Sequence, residues 1–198
     1  MKNMFFYSIG ENIKNIIALM YTKLIWKNAR LVRLPFYARN QRNIIMSKGF
    51  TCGYNCRLSA GSDIVGGKII FGKNFTMGDN CQLERQGGLT IGDDVLLASR
   101  VFIGTTSHGK YVGERQDSPT TKPNERKIYY QSVEIGNNCW IGNGVVILSG
   151  VTIGNGCIVG ANSVITKNIP DECMVVGVPA RIIKKYSKDT GRWELYMP

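Results

Sequence analysis

Residues 133–170 read VEIGNNCWIGNGVVILSGVTIGNGCIVGANSVITKNIP, and they read in sixes. An aliphatic residue opens each unit, at Ile135, Ile141, Ile147, Ile153, Val159 and Ile165, and glycine follows it at Gly136, Gly142, Gly154 and Gly160. The fifth position of each unit is small or β-branched: Cys139, Val145, Val151, Cys157 and Ser163. A period of six is neither the two of a half-exposed strand nor the 3.6 of a helix. It fits a prism with three flat sides, in which each unit supplies a short strand and a corner. The opening aliphatic points inward and stacks on its equivalent eighteen residues later. Glycine leaves the corner room that a Cβ would take at a cost in energy. Coils stacked in this way share one continuous, one-dimensional core. A sandwich of alternating strands would show period two and hairpins of variable spacing.

The same phase runs upstream, at Phe71-Gly72, Met77-Gly78 and Leu83, then at Ile91-Gly92, Leu97-Ala98 and Ile103-Gly104. Two extra residues separate Leu83 from Ile91, so a corner there should bulge. Residues 105–132 break the rhythm with a polar, aperiodic stretch containing Pro119 and Pro123. A connection that long inside a compact domain is functional or disordered. Over residues 1–30, Ile9, Ile13, Ile16, Ile17, Met20 and Leu24 follow helical spacing, and Pro35 ends any continuation. The expected layout is a basic helical segment over 1–47, a mainly β parallel β-helix over 48–183 with the loop 105–132 inserted, and a C-terminal tail or helix over 184–198.

Charge is distributed unevenly along the 198 residues. The net charge is +11; residues 1–50 hold nine Lys or Arg against Glu11 alone, residues 181–198 hold five against two acids, and the remainder balances. A nucleic-acid binder carries its basic stripe on the folded body, so no nucleic-acid partner is expected. The N-terminal apolar stretch is broken by Glu11, Lys14 and Lys23, too often for a signal peptide or a bilayer span. The six cysteines are therefore expected reduced, in a cytoplasm. The basic amphipathic segment 1–30 has two readings: peripheral contact with an anionic membrane, or packing of its stripe on the flank of its own or a neighbouring prism.

The run quoted above resembles the left-handed β-helix acetyltransferases of the hexapeptide-repeat class. The resemblance also rests on TIGDDVLLASRVFIGTTSHG at 90–109 and GVPARIIKKY at 177–186. It is strongest to the O-antigen and exopolysaccharide O-acetyltransferases and to the galactoside/maltose acetyltransferase group. The resemblance implies a left-handed coil, a homotrimer, and acetyl-CoA held between adjacent prisms. It places His108 on the general base. Trp140, Asn143, Ala161, Thr166, Lys167 and Arg181 fall on positions that line the coenzyme groove or hold its phosphates. Asp79 and Asn80 fall where relatives contact the acceptor, which is expected to be a saccharide precursor of a surface polysaccharide, either free or lipid-linked. Two positions depart from the pattern: Thr105 stands where many relatives have aspartate, and Gly78 stands where the galactoside group has asparagine.

The chemistry is consistent with that assignment. His108 is the only histidine, it lies at the foot of the one long loop, and imidazole is the side chain that ordinarily titrates nearest neutrality. It would take the proton of a sugar hydroxyl as the oxygen attacks the thioester carbonyl, with backbone N–H groups holding the oxyanion at about 3 kcal/mol per donor. The rival nucleophiles Cys81, Cys139 and Cys157 occupy inward positions and read as small core residues. One histidine, with no CxxC or HxxxH spacing, leads to no expected metal. Lys167 and Arg181 read either as phosphate ligands or as solvated charges, and Trp140 as groove lining or subunit packing. Other readings of the whole are a small-molecule acetyltransferase acting on serine or a xenobiotic, and a non-catalytic β-helix scaffold.

Overall fold

The computed structural model describes residues 8–61 and 67–197. Three parallel sheets make the faces of a prism. Face one stacks Leu31–Val32, Thr51–Cys52, Thr76–Met77, Leu96–Leu97, Trp140–Ile141, Ile158–Val159 and Cys173–Gly177. Face two stacks Phe36–Arg39, Cys56–Ala60, Gln82–Arg85, Phe102–Ile103, Val146–Ile147 and Val164–Ile165. Face three stacks Ile44–Met46, Ile69–Phe71, Leu89–Ile91, Val133–Ile135 and Thr152–Ile153. The aliphatic that opens each unit is buried, Ile141, Ile147 and Ile165 completely. Burying such a side chain contributes about 1.5–3 kcal/mol relative to leaving it in water. At the N-terminal end Phe50, Phe71 and Phe75 pack ring on ring, with centroids 4.6 to 5.4 Å apart.

The eighteen-residue offset holds only late in the chain, where Trp140 pairs with Ile158 and Val146 with Val164. Leu96 pairs with Thr76, an offset of twenty, and Thr76 with Thr51, an offset of twenty-five. Leu31 pairs with Thr51, again twenty apart, so residues 31–46 form a first coil. This corrects the expected helical segment 1–47: the prism begins at Leu31. Longer corners in the early coils hide the period of six. The expected bulge between Leu83 and Ile91 is present, with Gln82–Arg85 running on and Gly88 turning at φ +106°.

At the corners between faces three and one, glycine has a second reason to be glycine. A Cβ on Gly136 would lie 2.8 Å from the Asn155 nitrogen, and one on Gly154 only 2.1 Å from an Asp171 carboxylate oxygen. The next coil passes too close for a side chain. The left-handed conformation falls two residues later, at Asn74, Asn80, Asp94, Asn138 and Asn162, where Asn and Asp tolerate it best among non-glycine residues. Side chains tie coil to coil along the corner between faces three and one: Asp93 Oδ1 accepts from Lys73 N, Asn137 Oδ1 from Asp93 N, Asn155 Oδ1 from Asn137 N, and Asp171 Oδ1 from Asn155 N, all at 2.7–2.9 Å. The backbone N–H and side-chain amide of Asn155 hold the Asp171 carboxyl below its ordinary range.

One helix, Ile9–Ile25, precedes the prism. It starts at a capping box in which Ser8 Oγ accepts from Glu11 N and Glu11 Oε2 accepts from Ser8 N. Its packed side carries Ala18, Tyr21 and Thr22. Ala18 and Thr22 are buried, and Thr22 Oγ1 accepts from Val32 N at 2.8 Å while donating to Ala18 O. The aliphatic stripe faces the other way: Ile9 is 82% exposed, Leu24 73% and Met20 61%. It therefore does not pack on its own prism. The expected C-terminal tail or helix is also corrected. Ala180–Ser187 and Arg192–Leu195 extend face one as antiparallel strands, so the boundary expected after residue 183 falls inside a strand. They cover an edge that Cys173–Gly177 would otherwise leave open. Among the described residues no helix is long and apolar enough to cross a membrane.

Candidate active site

The long insertion leaves the prism at the corner between faces two and three, and it is ordered by its own contacts. Thr106–His108 pairs antiparallel with Ile128–Tyr130, so His108 lies opposite Ile128 in a hairpin. The hairpin is anchored at Thr105, which is completely buried. Its hydroxyl accepts from Gln86 N at 3.0 Å and Gly87 N at 3.2 Å and donates to Glu84 O, while its carbonyl accepts from Gln131 N. Those contacts bind the hairpin to the bulged corner one coil earlier. Beyond His108 the connection is cross-tied: Tyr111 Oη donates to His108 O, Arg126 Nη1 to Tyr111 Oη, and Arg126 Nε to Thr121 O. The His108 imidazole is exposed and makes no hydrogen bond with any described residue.

The other candidates leave the prism at different places. Asp79, Asn80, Asn143 and Ala161 all lie on the corner between faces one and two. A second ladder runs there: Asp79 Oδ1 accepts from Tyr54 N, Ser99 Oγ from Asp79 N, and Asn143 Oδ1 from Ser99 N. Asp79 thus already serves as a corner tie, and Asn80 is the left-handed turn residue with φ 57°. The ladder ends at Ala161, whose methyl offers no acceptor to the next amide. The N–H groups of Asn143 and Ala161 have no partner among the described residues. Trp140 stands half-exposed on the outer side of face one, between Leu96 and Ile158. Arg181 is exposed on the antiparallel strand paired to Val176. Thr166 and Lys167 are exposed at the far end of face two, on the corner from which the His108 hairpin also leaves. Face two therefore separates His108, Thr166 and Lys167 from Asn143 and Ala161.

Beside the foot of the hairpin is a cleft of about 140 Å³, lined by Arg39, Ser59, Glu84, Gln86 and Thr106. Sequence reasoning missed these residues. Arg39 belongs to the first coil, which the six-residue period does not reveal, and the others have side chains that alternate with core positions and carry no motif.

All six cysteines are free and buried. The Cys56 thiol is pushed up to about 12, chiefly by the neighbouring Cys52 thiol, and burial raises Cys173. Contact with Cys139 and burial together raise Cys157. The Cys157 thiol in turn lowers Cys139, but all six thiols are enclosed in the core, out of reach of a substrate. Among the described residues no three His, Cys, Asp or Glu side chains are grouped to hold a metal ion.

Residues 132–167 match the family described as bacterial transferase hexapeptide, six repeats. WbbJ of Escherichia coli K12, named as an O-acetyl transferase of lipopolysaccharide biosynthesis, is 37% identical over 189 residues, 95% of this chain and 95% of that protein. The structure of a maltose O-acetyltransferase from Clostridium difficile 630 superposes with a TM-score of 0.64 at 27% identity, over 91% of this chain and 90% of that one. A hexapeptide-repeat acetyltransferase from Vibrio cholerae O1 biovar eltor, solved with acetyl-coenzyme A, superposes with a TM-score of 0.52 at 25% identity, over 77% of this chain and 72% of that one.

Proposed function

The chain belongs to the hexapeptide-repeat acetyltransferases, and from that premise we propose that it moves an acetyl group from acetyl-CoA to a hydroxyl of a saccharide in surface-polysaccharide synthesis. Membership also implies a left-handed coil and a homotrimer. The observation that carries the chemistry is the hairpin. It presents one imidazole, exposed and free of internal hydrogen bonds, from a base bound to the prism through Thr105.

The coenzyme fits the corner where the second ladder stops. Ala161 leaves two backbone N–H groups open, which suit amide carbonyls of a pantetheine arm. The exposed Trp140 ring is a wall for that arm, and Lys167 and Arg181 supply cations for the phosphates. Acetyl-CoA supplies the activated acyl group. His108 removes the proton of the acceptor hydroxyl as that oxygen bonds to the thioester carbonyl, and coenzyme A leaves as the thiol. The cleft of Arg39, Ser59 and Glu84 offers hydrogen bonds to a polyhydroxylated acceptor, chiefly from Arg39 and Ser59, because one Glu84 oxygen already accepts from Gln82 Nε2, as one Asp79 oxygen does from Tyr54 N. Because face two separates the two groups, a complete site joins the corner of one prism to the hairpin of its neighbour.

The test is coenzyme A release with acetyl-CoA and a panel of saccharide, amino-acid and antibiotic acceptors. Saccharide-dependent release is expected. His108→Ala should bind acetyl-CoA with unchanged affinity and lose about 10²–10⁴-fold in transfer. Undiminished turnover by that variant would remove His108 from the mechanism, and turnover confined to serine or an antibiotic would replace the acceptor class.

A further inference from the structure

The N-terminal end of the molecule carries a surface that the transfer reaction does not use. The helix Ile9–Ile25 is turned so that Ala18 and Thr22 face the first coil. Ile9, Ile13, Ile16, Ile17, Met20 and Leu24 form the opposite arc, and every one is at least half exposed. A continuous apolar arc of this kind on a soluble surface marks a contact site.

Next to it lies a cleft of about 630 Å³, lined by Lys23, Lys27, Arg30, Lys48 and Lys73 together with Asn28 and Asn74. Lys23 stands at the margin of the apolar arc and also lines the cleft. None of the five cations is ion-paired to a carboxylate among the described residues. On the next coil of that corner, Asp93 and Asp94 accept hydrogen bonds from Lys73 N and Asn74 Nδ2.

The geometry points to a membrane-docking end: the apolar arc enters the interfacial region of a bilayer, and the cleft takes the phosphate of an anionic phospholipid headgroup. Charge selects this occupant over a two-fold contact with a second copy of the chain, and the oligomeric mass of an arc variant distinguishes it from a contact within a ring of three. A two-fold contact through this face would bring five cations against the same five. An anionic leaflet supplies the opposite charge and an apolar layer at once, at the depth to which such helices sink. The packing side of Ala18, Tyr21 and Thr22 keeps the helix on the prism while the arc remains outside.

Cosedimentation of the intact protein with phosphatidylglycerol-rich and with pure phosphatidylcholine vesicles tests this. Binding to the anionic vesicles is expected, weakening as salt rises. The variant Lys27→Glu/Lys48→Glu should lose at least about tenfold of that binding. The variant Ile16→Asp/Met20→Asp should lose it entirely while keeping the helical circular dichroism and the oligomeric mass of the parent. The proposal is overturned if the intact protein binds neither vesicle, or binds both alike regardless of the charge variant. It is also overturned if Ile16→Asp/Met20→Asp dissociates the oligomer, which would make the arc a contact between subunits.

Discussion

At the residue scale, two side chains matter for different reasons. His108 is the proposed base, exposed at the end of the hairpin strand, whereas Thr105 anchors the strand that carries it. The Thr105 hydroxyl satisfies two backbone N–H groups of the bulged corner from a completely buried position. Thr105→Val leaves both donors facing a methyl and should cost about 1–3 kcal/mol in denaturant unfolding, with transfer falling as the hairpin loosens. Thr105→Ser keeps the hydroxyl, so its transfer rate should stay within a few-fold of the parent. A Thr105→Val enzyme as stable and active as the parent would show that the anchor is dispensable. The sequence made His108 conspicuous, because it is the only histidine and stands beside the only long loop. Nothing in the sequence revealed the work of Thr105, since its partners lie about twenty residues earlier in the chain.

At the scale of the element, the corner obeys two separate rules that sequence reading merges into one. Glycine after the inward aliphatic is required by the approach of the next coil. The residue two positions later is required to be left-handed. The rules predict opposite outcomes for neighbouring glycines. Gly154→Ala puts a methyl 2.1 Å from Asp171 Oδ1 and 2.5 Å from its backbone nitrogen, and should lower stability by about 1–3 kcal/mol. Gly156→Asn enters a site with φ 64° where the added Cβ first meets Glu172 Cγ at 3.7 Å. Asn138 already occupies the equivalent position at φ 56°. That substitution should change stability by less than about 0.5 kcal/mol. Thermal unfolding of both variants decides it, and equal losses would refute the distinction. The helix teaches the converse lesson. Its periodicity located it, but the periodicity did not say which side would pack.

At the scale of the whole molecule, a single prism presents its candidate site in two halves. Asn143 and Ala161 stand on one corner, and His108, Thr166 and Lys167 on another. Light scattering should report a trimer of about 66 kDa, built from chains of 22.0 kDa. Mixing His108→Ala chains with chains altered at the other corner, for instance Ala161→Trp, should restore transfer if the halves meet across a subunit boundary. A fully active monomer would refute the arrangement.

The amino-acid sequence by itself determined the prism, its inward residues and the place of the insertion. Each of these is a local pattern, repeated because every coil does the same task for the next. The tertiary structure alone decided four other matters. The first coil, Leu31 to Met46, is invisible to a six-residue period because its partners lie twenty and twenty-five residues away. The C-terminal strands form because face one had an edge to be paired. The helix lies on Ala18 and Thr22, where the Thr22 hydroxyl meets the Val32 amide, and its apolar arc is left facing outward, which its periodicity could not say. Trp140 and Arg181 lie on face one and the other candidates divide between two corners, and only the pairing of the strands showed that face two stands between those corners.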